Sequence, residues 1–378
     1  MRKKKILTVV GTRPEIIRLS SIINKLDKSF NHILVNTNQN FTSSLNDIFF
    51  KNFNLKKPKY SLKNKSKNSV QFIGEMLNYI DRILKIENPD GFIILGDTYS
   101  CVSSYVAKKN KIPIFHLEAG NRSFDPRVPE EINRKLVDHL SDVNICYSEN
   151  SRQNLIKEGF TYENVFVSGS PLKEVYTQVN KLVENSKIMK KLNINQNYFF
   201  VVSIHRDENV NNLVNLKKIF KTISNIAKKL KLKAIVSLHP KTKDRIQGSD
   251  KSIFNFPYIL FHEPFDFIDY CSLQKNSKFV ISDSGSISEE SYIQNFAAIN
   301  IRDSHERSEA MDNGVVIMSG FHDKGLEEAV SILAQQGFAG PKSRNIVIPC
   351  YDEENVSDKI VNITNSYVNY INLRKWYN

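Results

Sequence analysis

At 378 residues, 40% hydrophobic and 25% charged, the chain has the composition of a soluble globular protein and exceeds what one compact core accommodates, so two domains are expected. No apolar run approaches the roughly 20 residues of a membrane span; the basic start Met1-Arg2-Lys3-Lys4-Lys5 leads into an apolar run that Gly11 and Arg13 cut short of a signal sequence, and a cytoplasmic protein without membrane association is expected. Cys101, Cys146, Cys271 and Cys350 are too scattered for a disulfide framework or a zinc site, and the net charge of +13 is spread along the chain, which suits a field that draws in an anionic substrate and not a nucleic-acid-binding face.

Short apolar runs at 6–10, 33–36, 91–95, 112–117 and 143–147, then 198–204, 234–238, 279–282 and 297–301, alternate with helix-length amphipathic stretches. Such alternation predicts βαβ units, hence an α/β fold of parallel sheets with helices on both faces. A polar, helical stretch at 176–196 separates the two series. The expected division is an N-terminal domain at 1–175, a C-terminal domain at 176–358, and a terminal helix at 359–378 packing back on the first. No fixed short repeat and no low-complexity tract competes with this reading.

The polar residues that carry chemistry stand where the apolar runs end. In open α/β sheets ligands bind outside the carboxyl ends of the strands, so these positions are read as site candidates. Gly11-Thr12-Arg13-Pro14-Glu15 offers a tight turn, a capping threonine and a helix-start proline, with Arg13 at a helix N-terminus where an anion is favoured. With a single glycine it is not a dinucleotide fingerprint, and no nicotinamide or flavin cofactor is expected. Gly96-Asp97-Thr98 follows the next long run. His116 to Arg122, then Arg127-Val128-Pro129-Glu130-Glu131-Ile132-Asn133-Arg134, crowd carboxylates and arginines beyond another. Asp97, Glu118 and either Glu130 or Glu131 could share one pocket, and crowding would raise the pKa of at least one of them. Capping and surface ion pairs are the plainer meanings, but the crowding recurs at other strand ends.

In the second series His205-Arg206 and His239-Pro240 again follow strands, each histidine a proton carrier or phosphate donor. Ser282-Asp283-Ser284-Gly285-Ser286 opens a helix; its N–H groups and hydroxyls can hold a diphosphate, and an acid one or two turns on can reach ribose hydroxyls. The charged run Arg302-Asp303-Ser304-His305-Glu306-Arg307-Ser308-Glu309 comes last, its plainer meaning a solvated face.

Seven of these motifs, collinear from about residue 5 to residue 320, resemble the non-hydrolysing UDP-N-acetylglucosamine 2-epimerase family: Gly11 to Glu15, Gly96-Asp97-Thr98, His116 to Arg122, Pro129 to Arg134, His205-Arg206, Asp283-Ser284-Gly285 and His305-Glu306-Arg307. The resemblance implies two Rossmann-like domains facing across a cleft in the GT-B arrangement, a homodimer, and a UDP-sugar substrate with no metal or redox cofactor. It also implies chemistry in which the C2 proton is abstracted as UDP leaves C1, giving a 2-acetamidoglycal to which UDP is returned with inversion at C2. By motif, Asp97, Glu118 and Glu130 match the catalytic carboxylates and His205 the group that stabilises or protonates departing UDP. Arg13, His239, Ser284, Gly285 and Glu290 match UDP contacts, and Arg18, Glu131, Arg134 and Arg307 are further contacts by the same matching.

Two departures bear on the substrate. Where members acting on UDP-N-acetylglucosamine carry Gly-Gln-His, this chain has Asn38-Gln39-Asn40, within Thr37 to Phe41, and Gly120-Asn121-Arg122-Ser123 replaces the usual Gly-Leu-Arg-Thr. Asn121-Arg122, Asp125, Arg127-Val128-Pro129 and Ser304 to Arg307 instead resemble the branch that converts UDP-2-acetamido-2,6-dideoxy-β-L-talose to UDP-N-acetyl-L-fucosamine for capsule or O-antigen synthesis. There, Ser308 and Ala310 stand where that branch has proline and glycine. UDP-N-acetylglucosamine epimerisation, a GT-B glycosyltransferase and a UDP-sugar sensor are the other readings, the last two disfavoured by the complete carboxylate set.

Overall fold

The computed structural model describes residues 2–39, 50–64, 66–248 and 251–376. Two units divide the chain, Met1–Gln178 with Pro349–Asn378, and Val179–Ile348. The crossing points thus stand at 178/179 and 348/349, against expected limits of 175/176 and 358/359.

In the first unit the strands are β1 (Lys5–Val10), β2 (Asn31–Asn36), β3 (Tyr60–Ser61), β4 (Gly91–Leu95), β5 (Ile114–Leu117), β6 (Val143–Cys146) and β7 (Val165–Val167). Among the described residues they form one parallel sheet in the order β3-β2-β1-β4-β5-β6-β7. β1, β4 and β5 are apolar almost throughout and buried, because helices cover both faces of such a sheet and alternation would strand a polar side chain. The helix Ser69–Glu87 shows the complementary pattern. It buries Phe72, Met76, Ile80, Ile83 and Leu84 along one stripe, starts at Asn68, whose side chain accepts from the Gln71 N–H, and stops at Asn88 in the left-handed region. After residue 348 the chain returns to this unit. There the helix Val356–Ile371 packs on the helix Arg13–Ser29, and Lys25 pairs with Asp358 at 2.7 Å.

The second unit holds β8 (Phe199–Ser203), β9 (Lys233–Ser237), β10 (Ile259–His262), β11 (Val280–Ser282), β12 (Ala298–Asn300) and β13 (Ile317–Met318), all parallel, in the order β10-β9-β8-β11-β12-β13. Its core packs Phe200, Phe220, Ile281, Ile299 and Leu326 together, with Phe200 stacked on Phe279 at 4.6 Å. Each such side chain contributes about 1.5–3 kcal/mol relative to exposure. No helix among the described residues is long and apolar enough to cross a membrane.

Candidate active site

Strand order reverses between β1 and β4 in the first sheet and between β8 and β11 in the second. Helices leave opposite faces on the two sides of such a switch, so the carboxyl ends of those strands stand open to a ligand.

At the first switch, Gly11 follows β1. A Cβ there would lie 2.1 Å from Ser100 Oγ and 2.4 Å from Thr37 Oγ1, so close approach requires this glycine. Glu15 Oε2 accepts the N–H groups of Gly11 and Thr12 at 2.6 and 2.7 Å, and Oε1 accepts Thr98 Oγ1 at 2.5 Å, which joins the turn after β1 to the turn after β4. Burial pushes the Glu15 carboxyl up to about 7 against those donors. Arg13, the first residue of its helix, is half-buried, and burial lowers its pKa.

Asp97 accepts Arg134 through Nε at 2.7 Å and Nη2 at 2.6 Å, and Asn133 Nδ2 donates to its carbonyl. Arg134 Nη1 reaches Glu131 Oε2 at 3.0 Å, and that oxygen also accepts the Ser123 N–H and hydroxyl. Arg134 therefore holds Asp97 and Glu131 together as anions. Burial pushes the Glu131 carboxyl up, but the bonds from Ser123 and Arg134 outweigh it and leave its pKa below the ordinary value. Crowding therefore does not raise Glu131, because Arg134 sits between it and Asp97. On the neighbouring strand end Glu118 takes φ +67°, a left-handed conformation costly for a side-chain-bearing residue. Its carboxylate accepts Asn121 Nδ2 at 3.3 Å and lies 3.9 Å from Arg18 Nε, whose guanidinium stands over the Tyr147 ring. Glu130 is the half-buried first residue of the helix Glu130–Leu140.

At the second switch, His205 follows β8 and Asp283 follows β11. Buried Asp283 accepts the N–H groups of His205 and Arg206, Asn209 Nδ2, and His205 Nδ1 at 2.9 Å. Burial alone would raise Asp283, but the attraction of His205 and these donors bring it down to about 2. For His205 burial lowers the pKa, and the attraction of Asp283 and its hydrogen bond reverse the sign, so the imidazolium is favoured. The His239 ring lies 5.9 Å from that of His205. Ser284 and Gly285 form the turn before the helix Ile287–Gln294, where Ser284 Oγ meets Ser286 Oγ at 2.9 Å. Glu290, one turn in, accepts Ser286 Oγ at 2.5 Å and Gln274 Nε2 at 2.7 Å. The run after β12 is no solvated face. Arg302 and Glu306 form a buried two-pronged pair, and Arg307 is buried against Glu289 at 2.9 Å.

The sequence profile of the UDP-N-acetylglucosamine 2-epimerase family matches residues 24–365. The chain belongs to that family. A UDP-N-acetylglucosamine 2-epimerase structure from Rickettsia bellii is 41% identical, covers 100% of both chains and superposes with a TM-score of 0.91. That from Methanocaldococcus jannaschii, in complex with UDP-GlcNAc and UDP, is 34% identical over 96% of this chain and 99% of that one, with a TM-score of 0.87. The UDP-N-acetylglucosamine 2-epimerase of Methanococcus maripaludis is 36% identical over 84% of this chain and 88% of its own length. Like its relatives, this epimerase-family chain is an isomerase built from two Rossmann-like, GT-B-like α/β units.

Within the family frame, the structure brings Asp97, Glu131 and Arg134 into direct contact, sets Glu118 beside Arg18, and pairs His205 with His239 and Asp283. Sequence reasoning missed Asp283 as the partner of His205, although the aspartate lay inside a quoted motif. The cue was its place directly after an apolar strand that neighbours the histidine's own. Glu15 was likewise read only as part of a turn. Of the altered segment Thr37 to Phe41, Asn40 and Phe41 lie outside the described residues. Among the described residues no group of three His, Cys, Asp or Glu side chains could hold a metal ion.

Proposed function

We propose that the protein epimerises a UDP-2-acetamido sugar at C2, with the second unit binding UDP and the first supplying the proton chemistry. The observation that carries this reading is the pairing of site and switch point: Asp97 follows β4 at one, with Glu118 after the adjoining β5, and His205 with Asp283 adjoins the Ser284-Gly285 turn at the other. A carboxylate takes the C2 proton while the C1–O bond breaks with its electron pair going to UDP, leaving a C1=C2 double bond. UDP then returns to C1 as an acid on the opposite face protonates C2. Asp97, Glu118 and Glu130 are the groups assigned to these transfers. His205, whose cationic form Asp283 favours, stabilises or protonates the departing diphosphate. Arg13, His239, Ser284, Gly285 and Glu290 bind UDP, with Arg18, Arg134 and Arg307 adding positive charge.

For the sugar, the text of Asn121-Arg122, Asp125, Arg127-Val128-Pro129 and Ser304 to Arg307 supports UDP-2-acetamido-2,6-dideoxy-β-L-talose, with UDP-N-acetyl-L-fucosamine as product for capsule or O-antigen synthesis. UDP-N-acetylglucosamine is the second reading, favoured by the names of the relatives. The reading includes a cytoplasmic homodimer. The test is incubation in D₂O with each UDP-sugar separately, followed by proton NMR at C2. Deuterium entering the talose derivative with formation of its epimer supports the first substrate; exchange only in UDP-N-acetylglucosamine supports the second. Exchange in neither overturns the epimerase reading.

A further inference from the structure

We propose that Asp138 is a positioning residue, the hub of a hydrogen-bonded network that holds the loops bearing Asp97 and Glu118; the proposal rests on the epimerase reading above. Asp138 stands on the third turn of the helix Glu130–Leu140 and has no solvent exposure. Its Oδ1 lies 2.8 Å from His116 Nδ1 and its Oδ2 2.8 Å from Arg122 Nη1, and the Gly120 N–H reaches both oxygens at 3.3 Å. Two further bonds extend the hub. His116 Nε2 lies 3.0 Å from the carbonyl of Gly96, the residue before Asp97. Arg122 grips Glu158 with two bonds of 2.7 and 2.6 Å.

The Gly96 carbonyl only accepts, so His116 Nε2 donates to it, and Nδ1 is left to bond Asp138. Arg122 lies between the carboxylates of Asp138 and Glu158. Geometry gives the network its purpose. Glu118 sits between two of its members in a left-handed conformation that persists only where the surroundings over-determine it. Gly120 has no room for a side chain, since a Cβ there would lie 2.2 Å from the Ser151 carbonyl, so the turn after Glu118 packs directly on that backbone. One aspartate thus reaches the strand before Glu118, the turn after it and, through His116, the backbone beside Asp97. Asp138 and Glu158 lie outside every candidate motif, whereas His116, Gly120 and Arg122 belong to the one at the end of β5.

The test separates positioning from simple folding. In Asp138→Asn, kcat on the accepted UDP-sugar is expected to fall about 100-fold while KM and the UDP dissociation constant stay within about three-fold, since small displacements of reacting groups cost rate before binding. Asp138→Glu, which keeps the charge, is expected to recover part of kcat. In the wild-type protein with ¹⁵N-labelled histidine, NMR is expected to find a proton on Nε2 of His116, the nitrogen that faces the Gly96 carbonyl. An unchanged kcat in Asp138→Asn, or equal losses in kcat and UDP affinity, would overturn the proposal, as would a His116 ring with a bare Nε2. If Asp138→Asn does not fold, His116→Gln, which leaves the bonds of Asp138 to Arg122 intact, is judged by the same split. Wild-type enzyme inert toward both UDP-sugars would instead fail the epimerase reading, and the NMR result would then decide the network alone.

Discussion

His205 and Asp283 make the most direct claim on chemistry at the scale of single residues. The folded-state pKa of His205 lies above its ordinary value, so its cationic form persists to higher pH than in a free imidazole. Burial and the charges of Arg206 and Arg302 oppose this shift, and Asp283 supplies the attraction that overcomes them. In Asp283→Asn only the opposing influences remain, and the alkaline limb of the kcat–pH profile is expected to move to lower pH. A limb that stays in place would take His205 out of the leaving-group role. Asp97→Asn and Glu118→Gln are each expected to abolish turnover while UDP affinity, measured by calorimetry, changes only a few-fold; lost affinity would make these acids binding or folding residues. Glu290→Ala is expected to weaken UDP binding by about 1–3 kcal/mol if its carboxylate bonds ribose. Its oxygens already accept Ser286 and Gln274, which orient it, and an unchanged affinity would place the ribose contact elsewhere. These side chains were legible because each follows an apolar run. Their partners were not, since Asp283 meets His205 from 78 residues away and Asp138 meets His116 from 22.

Elements were legible in proportion to their burial. β1, β4 and β8 read as apolar runs because each is covered on both faces. β3, β7, β10 and β13 were not read as strands: they are two to four residues long, mostly half-buried, and all four lie at sheet edges. They are marginal strands whose pairing is decided by neighbours and not by composition. Packing between elements carries the stability of the second unit. Phe279 stacks on Phe200 at 4.6 Å and on Phe338 at 5.3 Å, and Phe279→Ala is expected to cost about 3–5 kcal/mol in denaturant unfolding. A loss below 1 kcal/mol would mean that the site collapses around the missing ring.

For the molecule as a whole, titration sets a pH window. Asp283 and Glu87, from ordinary values of 3.8 and 4.5, are both brought to about 2, Glu87 by Lys59, Tyr60 and Lys5 against its burial. Each contributes stability that is present above its ordinary pKa and lost as pH falls toward 2. His205 acts in the opposite sense, contributing fully below 6.5 and losing that contribution as pH rises through its raised value. Glu15, raised from 4.5 to about 7, contributes fully below 4.5 and nothing above about 7. The urea midpoint is therefore expected to be highest near pH 4.5, to fall below it as Asp283 and Glu87 are protonated, and to fall above it first as Glu15 ionises and then as His205 loses its proton. A midpoint that is flat from pH 3 to 8 would contradict this balance. The amino-acid sequence by itself determined the α/β class, the two-unit division and the acids, histidines and turns at the strand ends, because strand burial and helix periodicity are local signals that one chain carries in order. Only the tertiary structure decided which of those groups meet: that Arg134 lies between Asp97 and Glu131, that burial raises Glu15, and that Asp283 and Asp138 stand behind His205 and His116. Parallel pairing brings distant strand ends side by side, and the resulting desolvation and ion pairing, set by three-dimensional distance, appear in no local pattern of residues.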